Sequence, residues 1–261
     1  MDKQGIIARE YLELSKIDLK ASDKLYEEKI YNISIFELQQ AIEKATKCFC
    51  LGIKINNQTL FSLGDMKGKG SHDPLKFLIE VIEKYISLLP NDNQLDVFSI
   101  KIKTGVIQQL NLQKNKLSQI TGKEGVEEIN PQLEVLNQIK DFNISNIPRE
   151  QIKLILESSY GIILTEDEFS IKYQELIQKI NENDFLRILN KIFLPLSLLG
   201  ALTFKHEQTT RYPYEAIDNA GNVLANIKPE EYKIGFGVVD SFKSLKELMN
   251  FVINNLEIEL K

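Results

Sequence analysis

Leu38, Ala41, Ile42, Ala45, Cys48, Phe49 and Gly52 recur at intervals of three and four residues. Residues 34–52 therefore have one efficient way to bury their apolar atoms, as one stripe of an amphipathic helix. Glu37, Gln40, Glu43, Lys44 and Lys47 lie off that stripe. Ser34 with Glu37 three residues on has the capping-box spacing, which predicts that the helix starts there. Upstream, Ile7, Tyr11, Leu14, Ala21 and Leu25 predict a helix from Lys3 to about Tyr26. Asp18 falls on the same stripe, as a rim position, a carboxylate bonded to a neighbouring helix, or a site carboxylate. Only a few residues join the two helices, so they are expected to pack as an antiparallel hairpin. Cys48 and Cys50 form C-x-C, with Cys48 toward the core and Cys50 near its edge. No second cysteine pair completes a zinc site, so both are read as structural.

Further along, Asp73 and Pro74 open a third helix that runs through Leu75, Leu78, Ile82, Tyr85, Ile86 and Leu89 to Pro90. Before it lies a loop rich in glycine and lysine, Gly64 to His72. It lacks the G-x-x-x-x-G-K-[ST] spacing of a P-loop and follows no clear strand, so a solvated loop is the simpler reading. Residues 91–183 are helical in pieces, clearest at 150–160 and 168–180, with breaks at Gly122, Pro131, Pro148 and Gly161. Alternation from Val97 to Lys103 suggests a short strand. Phe185 to Thr203 is apolar on most faces, but its uncharged run from Ile192 to Phe204 is too short to span a bilayer. It reads as a buried central helix, kinked near Pro195. A loop is expected around Arg211-Tyr212-Pro213-Tyr214. The last helix, about Ser241 to Leu256, carries Leu245, Leu248, Met249, Val252 and Leu256 on one face.

Charge and histidine content narrow the chemistry. A formal charge of −5 disfavours bulk binding to nucleic acid or membrane surfaces, leaving local patches. His72 and His206 are the only histidines, which rules out the His-rich zinc motifs. Serine-hydrolase, zincin and dinucleotide-binding motifs are absent, and no cofactor or metal is expected. With two cysteines and no basic, apolar leader after Met1, the expected setting is reduced and cytoplasmic.

Four stretches resemble the HEPN family, in the family's order. Ala8-Arg-Glu-Tyr-Leu12 with Asp18-Leu19 and Ala21 is similar to its first helix. Gln39-Gln-Ala-Ile-Glu-Lys-Ala-Thr-Lys47 is similar to its Q-x-A-x-E-K-x-x-K stretch. Ser71-His-Asp-Pro-Leu75 is similar to the T-H-D that opens its third helix, with Ser for Thr. Arg211-Tyr-Pro213 is similar to the turn before its last helix. Together these cover roughly residues 4–54, 66–90 and 205–257, about half the chain.

The resemblance implies an all-α, up-down helical bundle, read here as one domain over 1–261 with a mostly helical insertion at about 91–183. It also implies a nucleotide- or RNA-related role, a homodimer, and sometimes a nucleotidyltransferase-like protein partner, in a stress or defence setting. Catalytic members are metal-independent RNases with an R-x(4–6)-H motif. This chain departs from it: neither histidine has an arginine upstream at that spacing, and His206-x4-Arg211 reverses the order. The reading favoured is a binding or interaction module rather than an enzyme.

RNA cleavage without metal needs a base near neutral pKa and a fixed cation on the phosphate. His206 and Arg211 are the candidate pair, in a divergent RNase. The simpler account is His206 capping the end of the preceding helix and Arg211 bonded nearby. Candidate nucleotide or RNA contacts are Lys67, Lys69 and His72 beside the third helix, with Lys44 and Lys47 on the polar side of the second. Against these, Asp73 accounts for its place as a helix cap, and Glu43 to Lys47 is a favourable i,i+4 ion pair. A third reading is a structural homodimer completed by the apolar 185–203 helix.

Overall fold

The computed structural model describes residues 2–55, 58–66, 74–89, 91–94, 97–120, 148–181, 188–211 and 229–261. Helix α1 spans Lys3–Glu27 and α2 Tyr31–Gly52. A two-residue antiparallel ladder follows, β1 Lys54–Ile55 with β2 Gln58–Thr59. Then come α3 Pro74–Leu88, α4 Val97–Ile120, α5 Arg149–Tyr160 and α6 Glu166–Asn181. A π-helical turn at Leu189–Phe193 leads into α7 Leu194–Arg211, and α8 Gly237–Asp240 and α9 Phe242–Glu259 end the chain.

The antiparallel α1–α2 hairpin is present, but its seam differs from the stripe expected on α1. The buried positions are Ala8, Leu12, Ser15, Asp18, Leu19 and Ser22, while Leu14 is exposed and Ile7, Tyr11, Ala21 and Leu25 are half-buried. Ala8, Ser15 and Ser22 are seven residues apart, as are Ser34, Ala41 and Cys48 on α2. Small side chains at a seven-residue repeat let two helices approach closely. The Ser15 hydroxyl donates to the Ala41 carbonyl at 2.8 Å. Ser22 donates to the Ser34 carbonyl at 2.7 Å, and Ser34 returns a bond to the Ser22 carbonyl at 2.8 Å. Ser34 is therefore not the cap of α2, which begins three residues earlier; its hydroxyl is committed across the seam.

Helix α2 is the hub of the molecule, packed by α1, α3, α7 and α9. Its residues Ile35, Leu38, Ala41, Ile42, Ala45, Cys48, Phe49 and Cys50 are all fully buried. Cys50 is thus a core residue and not an edge one. The Phe49 ring lies 6.4 Å from that of Phe193, which ties α2 to the π-helical turn. That turn ends just before Pro195. A proline inside a helix offers no N–H to the carbonyl four residues back, and a locally widened turn is one way to absorb the missing bond. The central apolar segment accordingly contributes Ile192, Phe193, Leu196, Leu199 and Leu202 to the core.

Helix α9 runs back along α1 with the buried face expected from its sequence, Leu245, Leu248, Met249, Val252 and Leu256. Tyr26 stacks on Phe242 at 4.2 Å and donates its hydroxyl to the Val239 carbonyl. Lys246 pairs with Asp23 at 2.5 Å, Lys16 bridges Glu13 and Glu257, and Arg9 reaches the Leu260 carbonyl. Charged groups thus fasten both ends of the α1–α9 contact.

Val97 to Lys103, expected as a short strand, is the first part of α4. A seven-residue alternation also fits a helix whose apolar positions are sparse, and here Leu110 further along buries into the core as α4 packs on α3. Lys114 to Glu83 at 2.8 Å braces that contact. Helices α5 and α6 match the two clearest periodic pieces of 91–183, and Gly161 closes α5 in the left-handed conformation (φ 61°).

At the end of α2, a Cβ on Gly52 would lie 2.9 Å from the Ala8 Cβ and collide with Leu260. Gly52→Ala is expected to lower the unfolding free energy by about 1–2 kcal/mol, although helix propensity alone favours alanine. Urea denaturation checks this, and a more stable variant would show that the seam has room to spare.

Candidate functional site

Gln39 to Lys47 forms about two and a half turns of α2, so residues three and four apart share a face. Gln39, Glu43 and Lys47 fall on one line and Gln40, Lys44 and Glu37 on its flank. The Glu43–Lys47 ion pair expected from the spacing is present, on a polar side that is largely buried. Gln39 is fully buried, and Glu43 and Lys47 retain only 4% and 8% exposure. Lys47 meets Glu43 at 2.6 Å and lies 5.7 Å from the centre of the Tyr11 ring. Lys44 crosses to Asp18 of α1, which settles Asp18 as a carboxylate bonded to a neighbouring helix. Gln40 donates to the Gln39 side-chain carbonyl at 3.0 Å, and the Gln39 Nε2 has no hydrogen-bond partner among the described residues.

The face therefore carries Asp18, Glu37 and Glu43 against Lys44 and Lys47. Burial pushes the Glu37 carboxyl above its ordinary value, the Asp18 charge adds to this, and Lys44 opposes it. Both lysines already hold carboxylates, so an incoming phosphate would have to displace one. The arrangement orders two helices first, and binds an anion only at the expense of those pairs. Its unspent hydrogen-bonding capacity is the Gln39 amide, a buried donor without an acceptor among the described residues.

The other expected site residues fall elsewhere. His206 and Arg211 both lie on α7, whose last residue is Arg211, the first residue of the expected loop. Five residues on one helix place their backbone positions about 140° apart around its axis. Lys67, Lys69, His72 and Asp73 lie outside the described residues, as do Tyr212 and Pro213. Cys48 and Cys50 are both buried; burial pushes the Cys48 thiol up to about 12 and raises that of Cys50 as well. Neither is a usable thiolate near neutral pH. Among the described residues no group of three His, Cys, Asp or Glu side chains is placed to hold a metal ion. No described helix is long and apolar enough to cross a membrane.

One cluster was not singled out from the sequence. Between α5 and α6 an open groove of about 370 Å³ is lined by Arg149, Glu150, Lys153, Leu154, Glu157, Glu166 and Phe169. The Arg149 guanidinium lies 5.1 Å and the Lys153 ammonium 5.8 Å from the centre of the Phe169 ring. Both cations face Glu166, whose carboxyl is held below its ordinary value, mainly by the Lys153 hydrogen bond. A signal existed in the sequence, since Arg149 and Lys153 are one turn apart. Their ring and carboxylate come from α6, which only the fold brings alongside.

Two outcomes are expected for the α2 face. Lys47→Met leaves the buried Glu43 carboxylate without its ammonium and should cost about 3 kcal/mol, most of it recovered in Glu43→Gln/Lys47→Met; thermal denaturation of the three proteins reads this directly. Glu37 binds its proton more tightly folded than unfolded, so its contribution to stability falls as pH rises above its ordinary value of 4.5. Glu37→Gln should flatten that decline and leave the protein slightly more stable at neutral pH, as urea titrations across pH 4–7 would show.

Comparison with known proteins adds a family match over part of the chain. Residues 8–92, about a third of it, match the family model of the HEPN domain. The match takes in most of α1, all of α2 and α3 and the whole Gln39–Lys47 stretch. No curated protein and no solved structure matches the chain.

Proposed function

We propose, from the HEPN domain that this chain carries over residues 8–92, that the protein is a nucleotide- or RNA-binding module. It acts without the usual R-x(4–6)-H nuclease motif. The observation that carries the reading is the pairing of that domain with the missing motif: no arginine precedes either histidine with four to six residues between them. An all-helical body with an acidic overall charge binds an anion through a local set of cations. Lys67, Lys69 and His72 are the first candidates, because Lys44 and Lys47 already hold Asp18 and Glu43. The module works as a homodimer, in a stress or defence setting, and a nucleotidyltransferase-like protein is the kind of partner the family suggests.

A divergent RNase is the second reading. Its two residues, His206 and Arg211, both lie on α7, five positions apart. The two cannot serve one phosphate by simple adjacency on that helix, so this reading needs a second copy to bring the other half of the pair.

Calorimetry with ATP, GTP and short single-stranded RNAs tests both. Saturable binding that weakens at least tenfold in Lys67→Ala/Lys69→Ala/His72→Ala, without RNA cleavage, is the expected result. Cleavage by clean protein that is lost in both His206→Ala and Arg211→Ala would move the nuclease ahead. No binding and no cleavage would end both readings.

A further inference from the structure

The solvent-facing side of α1 has an ordered charge pattern that its own fold leaves unused. Ile6, Leu14 and Ile17 are 45%, 44% and 61% exposed, on a helix whose inner face is well packed. An open groove of about 510 Å³, lined by Ile6, Arg9, Glu10, Glu13 and Leu14, runs beside them. N-terminal to Ile17 the same face carries Glu10 and Glu13, and C-terminal to it Lys20 and Lys24. Glu13 is held by Lys16, whereas Glu10, Lys20 and Lys24 make no ion pair among the described residues. Exposed apolar side chains, Leu14 and Ile17, set between blocks of opposite charge are an unusual way to cover a solvated helix.

We infer that this face is the contact between two copies of the chain, with α1 packed antiparallel on the partner's α1 about a two-fold axis at Ile17. The inference rests on the homodimer of the proposed function and adds where the two copies meet. In an isologous contact each residue faces its mirror position along the antiparallel helix. Ile17 then meets the partner's Ile17, the best-exposed apolar side chain on this helix. Three residues out, Leu14 packs on the aliphatic stem of the partner's Lys20. Two turns out, Glu10 faces the partner's Lys24, and the partner's Lys20 lies within reach of Glu13. Acid meets base on both sides of the axis because Glu10 and Glu13 lie on one side of Ile17 and Lys20 and Lys24 on the other. Arg9 and Lys16, on the acidic side, are held by the Leu260 carbonyl and by Glu13 and Glu257. An axis between Glu10 and Glu13 would instead set carboxylate against carboxylate, so the charges select the register as well as the occupant. One helix pair is a small interface, and the dimer is accordingly a reversible one.

Ile17→Cys tests the geometry in the full chain, because Cys48 and Cys50 are fully buried and stay silent. Mild oxidation should give a disulfide-linked dimer on non-reducing gels. Leu154→Cys, equally exposed on α5, should not. Sedimentation should show a dimer constant roughly tenfold weaker in Glu10→Lys and in Lys24→Glu, and recovered in the double variant. A dimer that forms but neither cross-links at residue 17 nor responds to the charge changes would overturn this contact while leaving the homodimer intact. A strictly monomeric protein at 100 µM, an order-of-magnitude ceiling of about −5.5 kcal/mol, would overturn both. Nucleotide or RNA binding is measured separately and fails or stands by itself.

Discussion

The close approach of α1 to α2 is the constraint from which the rest of the structure follows. Three hydroxyls, Ser15, Ser22 and Ser34, bond to carbonyls of the facing helix, and these bonds form only when the two backbones are near each other. Larger residues at Ala8, Ser15 or Ser22 would hold the helices apart. Because α1 covers one side of α2 at this short distance, the remaining sides stay open for α3, α7 and α9. Helix α2 thereby becomes buried nearly all round, including turns that carry charged residues. Each hydroxyl that donates to a carbonyl of the facing helix meets its own hydrogen-bonding need, so these three buried serines cost the tight seam no unmet hydroxyl donor.

Burial of the Gln39–Lys47 stretch changes what its charges mean. On an exposed helix, Lys44 and Lys47 would be available to a phosphate, and the Glu43–Lys47 pair would be worth a few tenths of a kcal/mol. In this fold Lys44 is spent on Asp18 and Lys47 on Glu43, in surroundings where a lone charge is costly. These groups specify how α1 and α2 fit together. In the function proposed above, binding falls to cations elsewhere and self-association to the outer face of α1, which the hairpin leaves uncovered.

Much of the helical plan was legible in the residues, because long amphipathic repeats have few alternatives. The extents of α1, α5, α6 and α9 and the break near Pro195 follow from periodicity, proline and glycine alone. The inner face of α1 was misjudged for a physical reason. Its buried positions are mainly small or hydroxylated, Ala8, Ser15 and Ser22, and a hydrophobic stripe does not register them. Their seven-residue spacing was the available signal. Val97 to Lys103 misled in the other direction, since a short alternation is compatible with either period until a packing partner is known. Asp18 was correctly a candidate for a neighbouring-helix bond, but its partner Lys44 lies 26 positions away.

By itself the sequence determined that the chain is helical, where its main helices run, that it contains the HEPN pattern, and that the R-x(4–6)-H motif is missing. Those properties are local: they depend on spacing within one segment or on the order of residue types. Only the tertiary structure decided which charges are spent and which remain free. That distinction depends on distances between segments far apart in sequence and on the water excluded between them, and neither is encoded in the periodicity of any single helix.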